Sequence, residues 1–174
     1  MRTVTTDRLI LVPSTANILQ AELEDRDRLA FLLGAQIPYN WPMDEYLEIV
    51  PIFLEALRID PPPLGWQAWY WLKKEASPEK PTLIGGGGFL GEPDPAGTVE
   101  IGYSVLPQYR RLGFATEGTR GLINWALTHP QVNRIVAETE PSNEHSVRTL
   151  TKVGFSLCDE PARPGMNRYE LRRT

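Results

Sequence analysis

From Thr98 to Thr139 the chain reads strand, helix, strand, and this order constrains the fold more than any other feature of the sequence. "TVEIGYSVL" (Thr98–Leu106) is an apolar, β-rich run, the segment from about Thr116 to Thr128 carries a helical stripe, and "NRIVAET" is again a strand. A helix between two strands brings them parallel in one sheet through a right-handed crossover. Ahead of it, "RLILV" stopped by Pro13, "WQAWYWLKK" and "PTLIGGGGFLG" read as strands. The last of these joins its neighbours through the turn-forming segments "ASPEKP" and "EPDPAG", which suits an antiparallel meander. One helical stripe runs from Ser14 or Thr15 to Leu33, with room for a break at "EDRDR". Another spans about Asp44 to Arg58, where Pro51 can split it. A last helix, about Asn143 to Val153, precedes the strand pair "FSLCDE" and "NRYELRR". The expected fold is mixed α/β (α+β), with a mostly antiparallel sheet of about seven strands and about four helices.

A chain of 174 residues that is 41% hydrophobic is the size of one domain with one substantial core, so residues 1–174 are read as a single domain. Its net charge of -4 argues against a general affinity for nucleic acid, and a basic site must therefore be local. Cys158 is alone, and His129 and His145 lack metal-ligand spacing, so neither a disulfide framework nor a metal is expected. No apolar run approaches membrane length, which with the lone cysteine points to a cytoplasmic protein away from membranes.

The local basic site is "PQYRRLGFATEGTRG". Pro107 ends the strand, and the chain turns through Arg110 and Arg111 into a helix that begins close to Thr116. Helix starts collect unpaired N–H groups and partial positive charge. Gly113 adds no Cβ and Ala115 little bulk, so a phosphate can approach the N–H groups of Leu112, Gly113, Phe114, Ala115 and Thr116. An ordinary arginine-rich surface turn fits the same residues. The glycine run Gly85–Gly91 contains G-x-G-x-x-G, but Pro93 and Pro95 follow where a dinucleotide-binding helix would start. It reads instead as strand backbone lying close to a neighbour or forming a bulge.

With these residues in view, the sequence resembles the GNAT superfamily of acyl-CoA-dependent N-acetyltransferases. Arg110-Arg111-Leu112-Gly113-Phe114-Ala115 is similar to that family's R/Q-x-x-G-x-G/A cofactor motif, and "EIGYSVLP" to the strand before it. Asn143, Ser146, Gly154 and Phe155 match a second signature, and "TDRLIL" resembles the start of the ribosomal-protein N-terminal-alanine acetyltransferase branch. The resemblance implies acetyl-CoA as co-substrate and a central parallel pair that splays beside a bulge in the strand Glu100–Leu106. Val105 and Leu106 would hold the pantetheine arm, Arg110 to Thr116 the pyrophosphate, and Asn143 the arm's amide region. The implied chemistry is direct attack of a neutral primary amine on a thioester. Val105 N–H, freed by the bulge, would stabilise the oxyanion. Many family members place a tyrosine where this chain has Leu150, so protonation of the thiolate falls to Ser146.

Alternation places Glu100, Gly102 and Ser104 on one strand face and Val99, Ile101, Tyr103 and Val105 on the other, which makes Glu100 the candidate base. A back-bonded helix hydroxyl at Ser146 and a solvated or ion-paired carboxylate at Glu100 are the structural alternatives. Trp41, Tyr46, Trp66, Tyr70 and the loop "PARPGMN" are the expected walls of the acceptor pocket. The acceptor, a small molecule or a peptide N-terminus, is not written in the sequence, and a homodimer is compatible with it. An acyl-CoA-binding sensor without turnover, or a nicotinamide-dependent oxidoreductase using the glycine run, would read differently in a thiol-release or dinucleotide-binding assay.

Overall fold

The computed structural model describes residues 3–160 and 162–173. It contains β1 (Val4–Thr5), β2 (Leu9–Pro13), α1 (Ala16–Glu24), α2 (Arg26–Leu33), α3 (Asp44–Ala56), β3 (Ala68–Lys73), β4 (Thr82–Phe89) and β5 (Thr98–Val105). These are followed by α4 (Phe114–Leu127), β6 (Arg134–Thr139), α5 (Glu144–Lys152), β7 (Ser156–Cys158) and β8 (Asn167–Arg172). The strands form one sheet in the order β1-β2-β3-β4-β5-β6-β8-β7. All neighbours are antiparallel except β5 and β6, the parallel pair expected from the crossover.

The extra strand is the two-residue β1. The extra helix arises at Asp25, where the long stripe breaks: Asp25 leaves helical geometry and accepts a hydrogen bond from Arg28 N–H, capping α2. Pro51, by contrast, does not split α3. Helix α4 begins at Phe114, two residues before the expected start, directly after Gly113 with φ 84°.

Alternation along β3 sorts its side chains cleanly. Trp69 and Trp71 enter the core beneath α4 and α5, while Ala68, Tyr70 and Leu72 enter the second core beneath α1–α3. The glycine run is central strand β4, and its missing side chains make room for aromatic rings on both faces. A Cβ on Gly87 would lie 2.7 Å from the Trp71 ring, and one on Gly86 would lie 3.2 Å from Tyr46. On its other side Trp71 presses on Gly118 of α4, where a Cβ would meet it at 2.6 Å. The tryptophan is thus clamped between a strand glycine and a helix glycine, which fixes the height of α4 above the sheet.

The bulge expected in β5 is not there. Pairing of β4 with β5 runs in unbroken register from Phe89↔Ile101 to Gly85↔Val105. The register shift lies between β3 and β4, where Trp71 pairs with Gly85 but Leu72 pairs with Leu83, leaving Ile84 as the extra residue.

Candidate active site

The parallel pair is short. Thr98, Val99 and Glu100 pair with Arg134, Ile135 and Val136, and beyond them the two strands run on without pairing each other. Glu100 O accepts from Leu90 N–H and Leu106 N–H donates to Ile84 O, so the even residues of β5 bond toward β4. By the same alternation Tyr103 and Val105 turn their main-chain groups into the gap. The N–H of Val105 is therefore freed by the splay itself, without a bulge. Leu106 N–H is spent on β4 and its side chain is fully buried, so Leu106 offers its amide to nothing in the gap.

At the wide end of the gap the chain forms a short 3₁₀ turn, Pro107–Tyr109, and then two left-handed residues, Arg111 (φ 62°) and Gly113 (φ 84°). No side chain caps α4, so the first N–H groups of the helix stay open to an anion. Arg110 is engaged through its Nε, which donates to Val105 O at 2.8 Å and closes the end of β5. Phe114 is buried in the core, whereas Leu112 is exposed.

Arg8 is the site residue that sequence reasoning missed. Its Nη1 donates to Leu112 O at 2.9 Å, its Nε pairs with Glu117 at 2.7 Å, and its guanidinium lies 4.3 Å from the Phe114 ring centre. It therefore fastens the start of β2 to the turn and places a cation beside Gly113. Burial resists ionisation of Glu117, but hydrogen bonds from Thr6 and Arg8 hold its carboxyl below the usual range. The only sequence sign of Arg8 was its place in "TDRLIL". A groove of about 780 Å³ starts at Gly113 and Thr116 and runs past Arg8, Arg120 and Lys152.

Ser146 lies in the first turn of α5, whose cap is Asn143: Ser146 N–H donates to Asn143 Oδ1 at 3.1 Å. The Ser146 hydroxyl stands 3.1 Å from the phenolic oxygen of Tyr103, which reaches across from β5. On the opposite face of the strands, Glu100 pairs with Arg163 Nη2 at 2.5 Å. Arg163 also pairs with Glu138 of β6, so one guanidinium bridges the two splayed strands. Burial raises the Glu100 pKa; the Arg163 charge lowers it, the Glu138 charge raises it and the Arg168 charge lowers it. Arg163 belongs to the loop expected at the acceptor pocket, of which Pro161 lies outside the described residues.

The aromatic wall is brought together only in part. Trp41, Tyr46 and Tyr70 cluster with ring centres 5.0–6.2 Å apart on the α1–α3 face. Trp66 is on the other face, packed on Phe89, Trp125 and His129, and it cannot share a pocket with them. Nor is Tyr70 a surface wall, since it is fully buried. It lies beside Glu22, whose Oε1 accepts from Trp41 Nε1 at 2.8 Å while Oε2 and the Tyr46 and Tyr70 hydroxyls lack well-aligned partners.

Burial pushes the Glu22 carboxyl from 4.5 up to about 7, against the pull of Tyr70, Trp41 and the Arg26 charge. A carboxyl whose pKa rises on folding binds more protons folded than unfolded between those values, so stability falls as pH climbs through that window. Glu22→Gln has no charge to bury. It should match the parent near pH 5 and exceed it near pH 8 by up to about 3 kcal/mol in urea unfolding. Equal stability of both proteins at both pH values would show Glu22 to be solvated.

The acetyltransferase (GNAT) domain pattern matches residues 17–156. The chain is 35% identical over 157 residues to an uncharacterized N-acetyltransferase, YjdG, of Bacillus subtilis (strain 168), spanning 90% of this chain and 91% of that protein. Its fold is similar to an acetyltransferase from Agrobacterium tumefaciens str. C58, with TM-score 0.65 and 19% identity over 99% of this chain and 95% of that one. It is also similar to RimL, a ribosomal L7/L12 alpha-N-protein acetyltransferase in complex with coenzyme A, with TM-score 0.62 and 16% identity over 98% of each chain. Fold and domain together define an acetyltransferase. The chain belongs to the GNAT family.

Proposed function

We propose that this protein transfers an acetyl group from acetyl-CoA directly to a primary amine. The observation that carries this reading is the opened β5–β6 pair, with Tyr103 main-chain groups and the Val105 N–H facing the gap and a glycine-bearing helix start at its wide end. The gap suits an extended amide-bearing arm, which would add to it as a strand does, and Gly113 leaves the backbone bare where a pyrophosphate would rest. When bound, acetyl-CoA supplies an activated thioester. Glu100 takes the proton of the attacking amine, Val105 N–H stabilises the developing oxyanion, and Ser146 gives a proton to the thiolate.

The arrangement divides labour across the sheet. Glu100 lies on the α1–α3 face, with Ser104 and Met43 in contact nearby, while Ser146 lies on the α4–α5 face. Acceptor and departing thiol thus meet their proton partners on opposite sides of the gap. The acceptor is a primary amine of a small molecule or of a peptide N-terminus. Acetyl-CoA should raise the thermal midpoint by mass action and NAD should not, and a panel of amines should release free thiol. Equal stabilisation by both nucleotides, or by neither, would refute the reading. Stabilisation by acetyl-CoA without thiol release from any amine would favour a sensor.

A further inference from the structure

We propose that Tyr103 is the source of the proton that reaches the thiolate, delivered through the Ser146 hydroxyl. The inference rests on the transfer reading above and deepens it. A serine alone is a poor donor here, because alcohols are far weaker acids than thiols, whereas a phenol near 10 is close to a thiol near 8.5. The structure puts a phenol where it can help: Tyr103 Oη is 3.1 Å from Ser146 Oγ and 3.3 Å from the Ser146 carbonyl. Leu150, one helical turn beyond Ser146, is fully buried and has no hydroxyl to offer.

The phenol is also held in place. Its ring stacks on Trp71 at 6.4 Å with 17° between planes, and Trp71 is clamped between Gly87 and Gly118. Its main chain faces the gap while its side chain turns beneath α5. Burial raises its pKa while Ser146 and Thr149 hydroxyls lower it, so at neutral pH the phenol keeps its proton ready.

In the step, the Ser146 O–H bond breaks as the S–H bond forms, and the Tyr103 O–H bond breaks as the Ser146 O–H bond is restored. The phenolate then regains a proton from water, and the proton lost by the amine balances it. Tyr103 is a relay residue that acts through Ser146.

The test compares Tyr103→Phe, Ser146→Ala and the double variant in thiol release, with thermal midpoints and acetyl-CoA affinity as controls. Tyr103→Phe should lower kcat on the order of 100-fold with KM for acetyl-CoA and midpoint unchanged, and the double variant should be no slower than Ser146→Ala. Replacing Tyr103 by a fluorinated tyrosine, a stronger acid of nearly the same shape, should move the alkaline limb of kcat to lower pH. A packing role would not move that limb. Near-native kcat in Tyr103→Phe, defects that multiply in the double variant, or an unmoved limb would each overturn the relay. Absence of turnover by the parent protein would instead overturn the transfer reading, and the relay with it.

Discussion

Gly113→Val should abolish the thermal stabilisation by acetyl-CoA while the free protein still folds. Gly113 has φ 84°, a region that a β-branched residue enters at a cost of about 1–2 kcal/mol, and its Cβ would meet Arg8 Nη2 at 3.3 Å. Neighbouring N–H groups would then be both tilted and covered. At a ligand concentration of about 100 Kd the parent gains about 2.7 kcal/mol by mass action, so losing two decades of affinity removes most of the shift. Differential scanning fluorimetry with and without acetyl-CoA measures this directly. A retained shift would place the phosphates elsewhere, with the groove past Arg120 and Lys152 the first alternative.

Glu100→Gln should lower kcat on the order of 100-fold near neutral pH, with the deficit shrinking as pH rises. As a base Glu100 must be ionised, and burial delays its ionisation. The acid limb of the parent's kcat should therefore lie above the ordinary carboxylate range, and the variant should lack that limb. At alkaline pH the acceptor arrives already neutral and the base becomes dispensable. Arg163 sharpens the test: with its charge removed in Arg163→Ala, the carboxyl loses the pull that lowers its pKa and the limb should move to higher pH. A kcat profile for Glu100→Gln that overlays the parent's would leave the carboxylate as the loop's ion-pair partner and nothing more.

The parts of this site that follow local rules were legible in the sequence. A strand stopped ahead of Pro107, a glycine at 113 and a helical stripe after it announce a strand-to-helix turn with a bare helix start, and strand alternation put Glu100 and Tyr103 on opposite faces. Trp66 was misplaced because it has the same parity as Tyr70, while the strand begins only at Ala68; alternation does not extend past a strand's end. The glycine run was legible as backbone lying close to its neighbours or forming a bulge; the extra residue falls one place before it, at Ile84, and four residues without side chains give alternation nothing with which to fix the register. Arg8 with Glu117, Arg163 with Glu100 and Tyr103 with Ser146 are contacts between distant parts of the chain, 109, 63 and 43 residues apart. No period in the sequence reports such pairs, because they are made by the sheet order and the loops that return across it.

That sheet order has a mechanical side. Strands β1 to β5 form one plate and β6 to β8 another, and within the sheet three residue pairs of β5 and β6 stitch the plates together, with Arg163 bridging Glu100 and Glu138 where the pairing stops. A beam notched on one side is most compliant at the notch, and here the notch is the wedge beyond Glu100, backed on one face by the continuous core beneath α4 and α5. Any extended molecule that bonds to both lips of the wedge acts as a splice across it. Its contribution to stiffness exceeds its share of the contacts, because it joins two strand edges that beyond Glu100 share no main-chain pairing.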